Sequence, residues 1–131
     1  MVEPETPASP LHGLRILVAE DESLISMLAE DMLADAGVAE VVIAASLKEA
    51  RAILDRETQI DAAVLDVKLG SDSGIDLAGA LEERAIPFVF ATGLGPDSDI
   101  PAPFAHVAIV QKPYTGDDLI AAISRARQTA R

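Results

Sequence analysis

Five short apolar runs recur along the chain, and polar stretches with helical spacing separate them. The runs are Leu14–Ala19, Glu40–Ala44, Ala62–Asp66, Pro87–Ala91 and Val107–Val110. Apolar runs this short, bounded by polar residues, fit strands buried on both faces, as in a parallel sheet. The first helix is expected from Ser23 to Ala36, with Leu24, Leu28 and Met32 as its apolar stripe, Ile25 and Leu33 beside it, and Gly37 as its C-cap. Ser46-Leu-Lys-Glu49 is a capping box that opens a second helix with Ala50, Ile53 and Leu54 inward. A turn holding Gly70, Ser71, Asp72, Ser73 and Gly74 leads to a third helix, Ile75–Arg84, apolar at Ile75, Ala78 and Leu81. Thr115-Gly-Asp-Asp118 opens the last helix, with Leu119, Ile120, Ile123 and Ala126 on its apolar side. Between the fourth and fifth runs, Leu94–Phe104 contains Gly95, Pro96, Pro101 and Pro103, so an irregular fourth helix is expected there. Strands alternating with helices define an α/β domain with a five-stranded parallel sheet. Right-handed crossovers put helices on both of its faces. Met1–Gly13, with Pro4, Pro7 and Pro10, is expected to be a mobile N-terminal tail, which leaves residues 14–128 as the domain.

Composition narrows this picture. A chain of 131 residues holds about one domain, and with half its residues apolar it can bury an ordinary core. Aromatics are only 3 %, so that core is built from Ala, Val, Ile and Leu. Without cysteine, disulfides and cysteine zinc sites are excluded, and the chain suits a reducing cytoplasm. Met1–Gly13 lacks the basic start and apolar run of a signal peptide, and no stretch approaches the length of a membrane span. A net charge of −12 disfavours direct binding to nucleic acid or to anionic membranes.

The candidate chemistry lies at the carboxyl ends of the strands, where open parallel sheets bind their ligands. Glu20 and Asp21 follow the first strand, Asp66 ends the third, Thr92 follows the fourth and Lys112 the fifth. Three carboxylates in one crevice repel one another unless a cation joins them. A small set of hard oxygen ligands suits Mg²⁺, which often binds substrate phosphate as well. Lys112 offers a point charge for a phosphoryl oxygen, Thr92 offers a hydroxyl donor, and Gly93 leaves room beside it. Asp66 is then free to act as a nucleophile that accepts a phosphoryl group as an acyl phosphate.

With the acid pair Glu20-Asp21, Asp66, Thr92-Gly93 and Lys112-Pro113, the chain resembles the receiver domain of two-component response regulators from about Leu14 to Gln128. The resemblance implies a flavodoxin-like (βα)5 fold with strand order 2-1-3-4-5. It implies phosphorylation of Asp66 by a sensor histidine kinase. It also implies a Mg²⁺ site in which Asp21 binds directly, Glu20 acts through water or hydrogen bonds, and Asp66 and the Lys68 carbonyl complete the protein ligands. Lys112-Pro113 is expected to be cis, as in relatives. Pro87-Phe-Val-Phe-Ala-Thr-Gly93 is similar to the motif of the FAT GUY subclass of single-domain receivers, which are associated with kinases of the HWE and related types. The match is specific at Phe90-Ala91-Thr92-Gly93, whereas Leu94 replaces the usual tyrosine. Three positions before Lys112, where receivers carry an aromatic switch residue, stands Ile109. Lys68 and Gly70 border the site and also depart from the common pattern.

Each residue also has a blander reading. Asp66 alone would be a turn carboxylate, Glu20 and Asp21 acids near a helix N-terminus, Thr92 a cap and Lys112 a surface lysine. Glu22 is read as solvent-facing, His106 as a lone loop histidine rather than a phosphohistidine, His12 as a tail residue without a role, Lys68 as either a site contact or a solvated chain, and Tyr114 as packing. The constellation as a whole favours a stand-alone receiver, a monomer or weak dimer, that signals by binding a downstream protein, by relaying phosphate or by draining it. Only Gln128–Arg131 follow the last helix, and the order of the Gly93–Phe104 loop is expected to carry much of the signal. The alternatives are a pseudo-receiver that acts as an interaction module without phosphorylation, and a Mg²⁺-dependent phosphohydrolase. The second would need another acid soon after Asp66, where Lys68 stands.

Overall fold

The computed structural model describes residues 9–56, 59–93 and 100–129. Strands β1 (Arg15–Ala19), β2 (Glu40–Ala44), β3 (Ala62–Asp66), β6 (Phe88–Thr92) and β7 (Ile109–Gln111) form one sheet in the order β2-β1-β3-β6-β7. Every pairing in it is parallel. Counting these five alone gives the order 2-1-3-4-5. β3 is buried at all five positions, as a central strand covered on both faces requires.

Four helices cover the sheet: α1 (Ser23–Asp35), α2 (Leu47–Arg56), α3 (Ile75–Glu83) and α4 (Gly116–Thr129). Alternate residues of the strands supply two cores. Leu17, Ala63, Leu65, Phe88 and Phe90 face α2 and α3, and Ile16, Val18, Val64, Val89 and Val110 face α1 and α4. The Ser46 cap forms, with the Glu49 N–H donating to Ser46 Oγ at 3.1 Å, and the return bond of the capping box is shifted by one residue: Glu49 Oε1 accepts from the Ala45 N–H at 2.6 Å. Thr115 caps α4, with its Oγ1 accepting from the Asp118 N–H at 3.1 Å. The Lys112-Pro113 bond is cis, as expected.

Three features depart from expectation, and a further expected segment is only partly described. In α1 the residues turned to the sheet are Ser26, Ala29 and Leu33, whereas Leu24 is 69 % exposed and Leu28 is 46 % exposed. Small side chains at 26 and 29 let the helix lie close to the sheet, and the apolar arc of its sequence is wider than the face it buries. Ser9–Gly13 is not a loose end: Leu11 is fully buried in the core on the face covered by α1 and α4, and the Gly13 N–H donates to the Gly37 carbonyl at 2.8 Å. Met1–Ala8 lies outside the described residues. The turn after Asp66 contains a small antiparallel hairpin, β4 (Lys68–Leu69) with β5 (Asp72–Ser73), whose corner holds Gly70 at φ +64°. Leu69 anchors it in the core. Finally, of the proline-rich segment expected as an irregular fourth helix, residues 94–99 lie outside the described set, and Ala102–Phe104 forms one 3₁₀ turn.

Candidate functional site

The sheet register gathers the site. Ala19 pairs with Leu65, so Glu20 emerges beside Asp66, at the point where strand order reverses between β1 and β3. Asp66 pairs with Ala91 and Thr92 with Gln111, so Thr92 and Lys112 emerge one strand and two strands further along the same edge. The Lys112 N–H donates to the Thr92 carbonyl at 2.8 Å and the Val67 N–H to the Ala91 carbonyl at 2.9 Å, which extends the ladder past the strand ends.

Asp66 is 3 % exposed, and both of its oxygens are engaged. Oδ1 accepts the Lys68 N–H at 3.0 Å, and Oδ2 accepts from Lys112 Nζ at 2.9 Å. Lys112 Nζ also donates to Glu20 Oε1 at 3.1 Å, and Glu20 Oε2 accepts the Glu22 N–H at 3.1 Å. The ammonium is thus wedged between two buried carboxylates. Asp21 is exposed at the mouth, yet an oxygen from each of Glu20, Asp21 and Asp66 lies within 4.8 Å of the others. Asp21, Asp66, Lys68, Gly93 and Lys112 share one open cleft.

Electrostatics follows from the burial. Loss of hydration raises the Glu20 pKa to about 7; the Glu22 N–H and Lys112 oppose this and the Asp66 charge adds to it. Burial alone pulls the Lys112 pKa down, but the hydrogen bond and charge of Asp66, with those of Glu20, outweigh it, so the ammonium is held above its ordinary value. Tyr114, two residues on and buried, is raised to about 12, chiefly by burial and then by the Glu20 charge.

All of the expected residues reach this edge of the sheet. Glu20, Asp66 and Lys112 meet directly. Asp21 and Lys68 line the cleft. The Thr92 hydroxyl makes no hydrogen bond to the acids among the described residues. Ile109 is 48 % exposed on the edge strand. One residue was underrated in sequence: Glu22 Oε1 lies 3.7 Å from Lys112 Nζ, although its side chain remains 63 % exposed. The signal for it was the unbroken acid run Glu20-Asp21-Glu22, read there as a pair and a bystander.

Fold and edge chemistry together are those of a signalling receiver. Residues 16–124 match the model of the response regulator receiver domain, and the chain belongs to that family. It is 32 % identical over 129 residues to the transcriptional regulatory protein PdtaR of Mycobacterium tuberculosis, a match that covers 96 % of this chain but only 62 % of that protein. The chain therefore spans about three-fifths of the length of the curated relatives it matches. Among solved structures, that of SdrG from Sphingomonas melonis Fr1 is similar at 37 % identity and a TM-score of 0.70, over 88 % of this chain and 97 % of that one. A response regulator receiver protein from Sinorhizobium medicae WSM419 is similar at 26 % identity and a TM-score of 0.76, over 92 % and 99 %.

Proposed function

We propose that this chain is a phosphorylatable receiver in which Asp66 accepts a phosphoryl group from the phosphohistidine of a sensor histidine kinase. The observation that carries this reading is a buried Asp66, at the switch point of the sheet, bonded to Lys112 and grouped with Glu20 and Asp21. A carboxylate oxygen of Asp66 attacks phosphorus; the new O–P bond forms as the N–P bond of the donor breaks, and the freed imidazole takes up its proton from solvent. The Lys68 N–H holds the oxygen that does not react. The Lys112 ammonium follows the charge onto a phosphoryl oxygen, and the Thr92 hydroxyl donates to another. Of these donors, the Lys68 N–H and the Lys112 ammonium already contact Asp66 before the reaction begins.

The donor set fits Mg²⁺: three carboxylates at one sheet edge, one of them open to water, with no soft ligand among them. Glu20, Asp21, Asp66 and the Lys68 carbonyl would hold the ion, which when bound neutralises charge on the phosphoryl oxygens. The Pro87–Gly93 motif supports the FAT GUY subclass and a kinase of the HWE or a related type. The strongly acidic composition supports output through a protein partner rather than through nucleic acid, and the lack of cysteine suits a cytoplasmic setting. The test is intact mass after incubation with acetyl phosphate and Mg²⁺, and then with a histidine kinase. One labile phosphoryl adduct on wild type, absent from Asp66→Asn, is the expected result. No adduct from either donor would leave the pseudo-receiver as the better reading.

A further inference from the structure

The amino end of the sheet holds a cavity of about 500 Å³, an ordinary volume for a small-molecule site. The end of α3, the start of β6, the approach to β7 and the last turns of α4 enclose it. Phe88, which lines it, begins β6, and Thr92 ends that strand, so about 13 Å of strand separates the cavity from the edge that carries Asp66. Its walls are largely apolar. Ile86 and Val107 belong to the margin of one core, and Ala108 and Ala126 to the margin of the other. All four are only half-buried, and an apolar body seated among them would take their remaining surface out of water.

The charge of the lining runs against that of the chain. Its ionisable residues are Glu82, His106 and Arg125, so two of the three are basic in a chain whose acids outnumber its bases by 12. Among the described residues Arg125 takes part in no ion pair, whereas Arg15, Arg84 and Lys112 all do.

One wall is held in an uncommon backbone setting. Ala85 has φ +56°, and among the described residues it is the only one other than glycine with positive φ. It closes α3: the Ala85 N–H donates to the Glu82 carbonyl at 3.0 Å, and the Ile86 N–H reaches back to the Leu81 carbonyl at 2.9 Å. Glycine takes such a position without steric cost, yet this chain keeps a side chain there, at the cavity. Strained residues persist where their surroundings fix them, and they gather at ligand clamps.

We propose that this cavity is a second binding site, one for a small organic acid with a single carboxylate and an apolar body. Arg125 pairs with the carboxylate, His106 adds a polar contact from the approach to β7, and Ile86, Phe88 and Val107 cover the body. A single charge suits the site better than a phosphate, because Glu82 shares the lining and the whole chain is acidic. None of the residues gathered around Asp66 lines this cavity, so binding here is separate from phosphorylation there.

The probes are octanoate and phenylbutyrate, titrated into the full chain and followed by amide chemical shifts. Octanol is the uncharged control and octylammonium the cationic one. At least one of the acids should move the amides of residues 85–88, 106–108 and 125–129 along a single saturating curve. Octanol should bind about tenfold more weakly, the weight of one charge-assisted hydrogen bond. Arg125→Gln should weaken the acid by a similar factor and leave Tm unchanged, since Arg125 is exposed. Thr129→Trp, at another exposed position of the lining, should fill the cavity and abolish the response. No saturable shift of these amides with either acid up to about 10 mM, where even a site of millimolar Kd fills, overturns the proposal. So does octanol or octylammonium that binds as tightly as the acid, or binding that survives both Arg125→Gln and Thr129→Trp at the strength of wild type.

Discussion

At Gly74 a missing side chain is the constraint. A Cβ there would fall on the carbonyl oxygen of Asp66, and its nearest carbon would be 3.1 Å away. The obstacle is backbone, and it belongs to the residue whose carboxylate sits at the centre of the site. Gly74→Ala is expected to lower stability by about 1–3 kcal/mol, the range for forced overpacking, and to slow phosphorylation of Asp66 besides. Urea unfolding and acetyl phosphate labelling measure the two effects, and a variant that matches wild type in both would place the turn elsewhere. Tyr114 makes a second residue-level prediction. Its phenol is raised from about 10 to about 12, so the stability tied to its neutral form is complete below pH 10 and is lost as pH climbs towards 12. With one tyrosine and no tryptophan, tyrosinate absorbance reads this directly: the folded chain should titrate well above the same chain in urea. The acids, Thr92 and Lys112 were legible at this scale because each follows an apolar run, and the end of a buried strand is where a charge can still reach water. The reach of Glu22 to Lys112 was not legible. It depends on which way one flexible side chain turns after β1, and the pattern of residue types does not encode that.

Elements were legible where periodicity had a single solution. The sheet runs, the Ser46 capping box and the Thr115 cap fall where their residues point. α1 was read with its inward face off-centre: Leu33, Ile25 and Met32 meet the core as expected, but Leu24 and Leu28 do not, and Ser26 and Ala29 take their place, because the sequence is apolar around more than half its circumference. What decides is the distance between helix and sheet, which small side chains set and sequence spacing does not express. Leu24→Ala should therefore change stability by no more than about 0.5 kcal/mol, as an exposed substitution does. Leu11, read as part of a tail, should behave in the opposite way. It is fully buried in the core on the α1 and α4 face, and Leu11→Ala should cost about 2–5 kcal/mol. Chemical denaturation of the two variants side by side checks both, and the order of their midpoints is the sharper part of the prediction. The hairpin β4–β5 carried a readable mark, Gly70-Ser71 between Leu69 and Asp72, which is a two-residue loop with glycine at its positive-φ position. It is short enough to pass for an unstructured turn.

Over the whole molecule, acids outnumber bases by 12, and three of them converge on one sheet edge. A cation that binds the folded chain and not the unfolded one must stabilise it. Mg²⁺ at a hundred times its Kd is expected to add about 2.7 kcal/mol, seen as a rise in Tm that Asp21→Asn largely removes and Na⁺ at equal ionic strength does not reproduce. Yet the fold does not depend on that ion to bring its acids together, because the Lys112 ammonium already lies between Glu20 and Asp66. The chain brings its own caretaker to the crevice. Should Mg²⁺ enter as proposed, it would join acids whose mutual repulsion the lysine has already eased. On the proposed reading, a receiver short of magnesium would keep its crevice in order while its response waited for the ion.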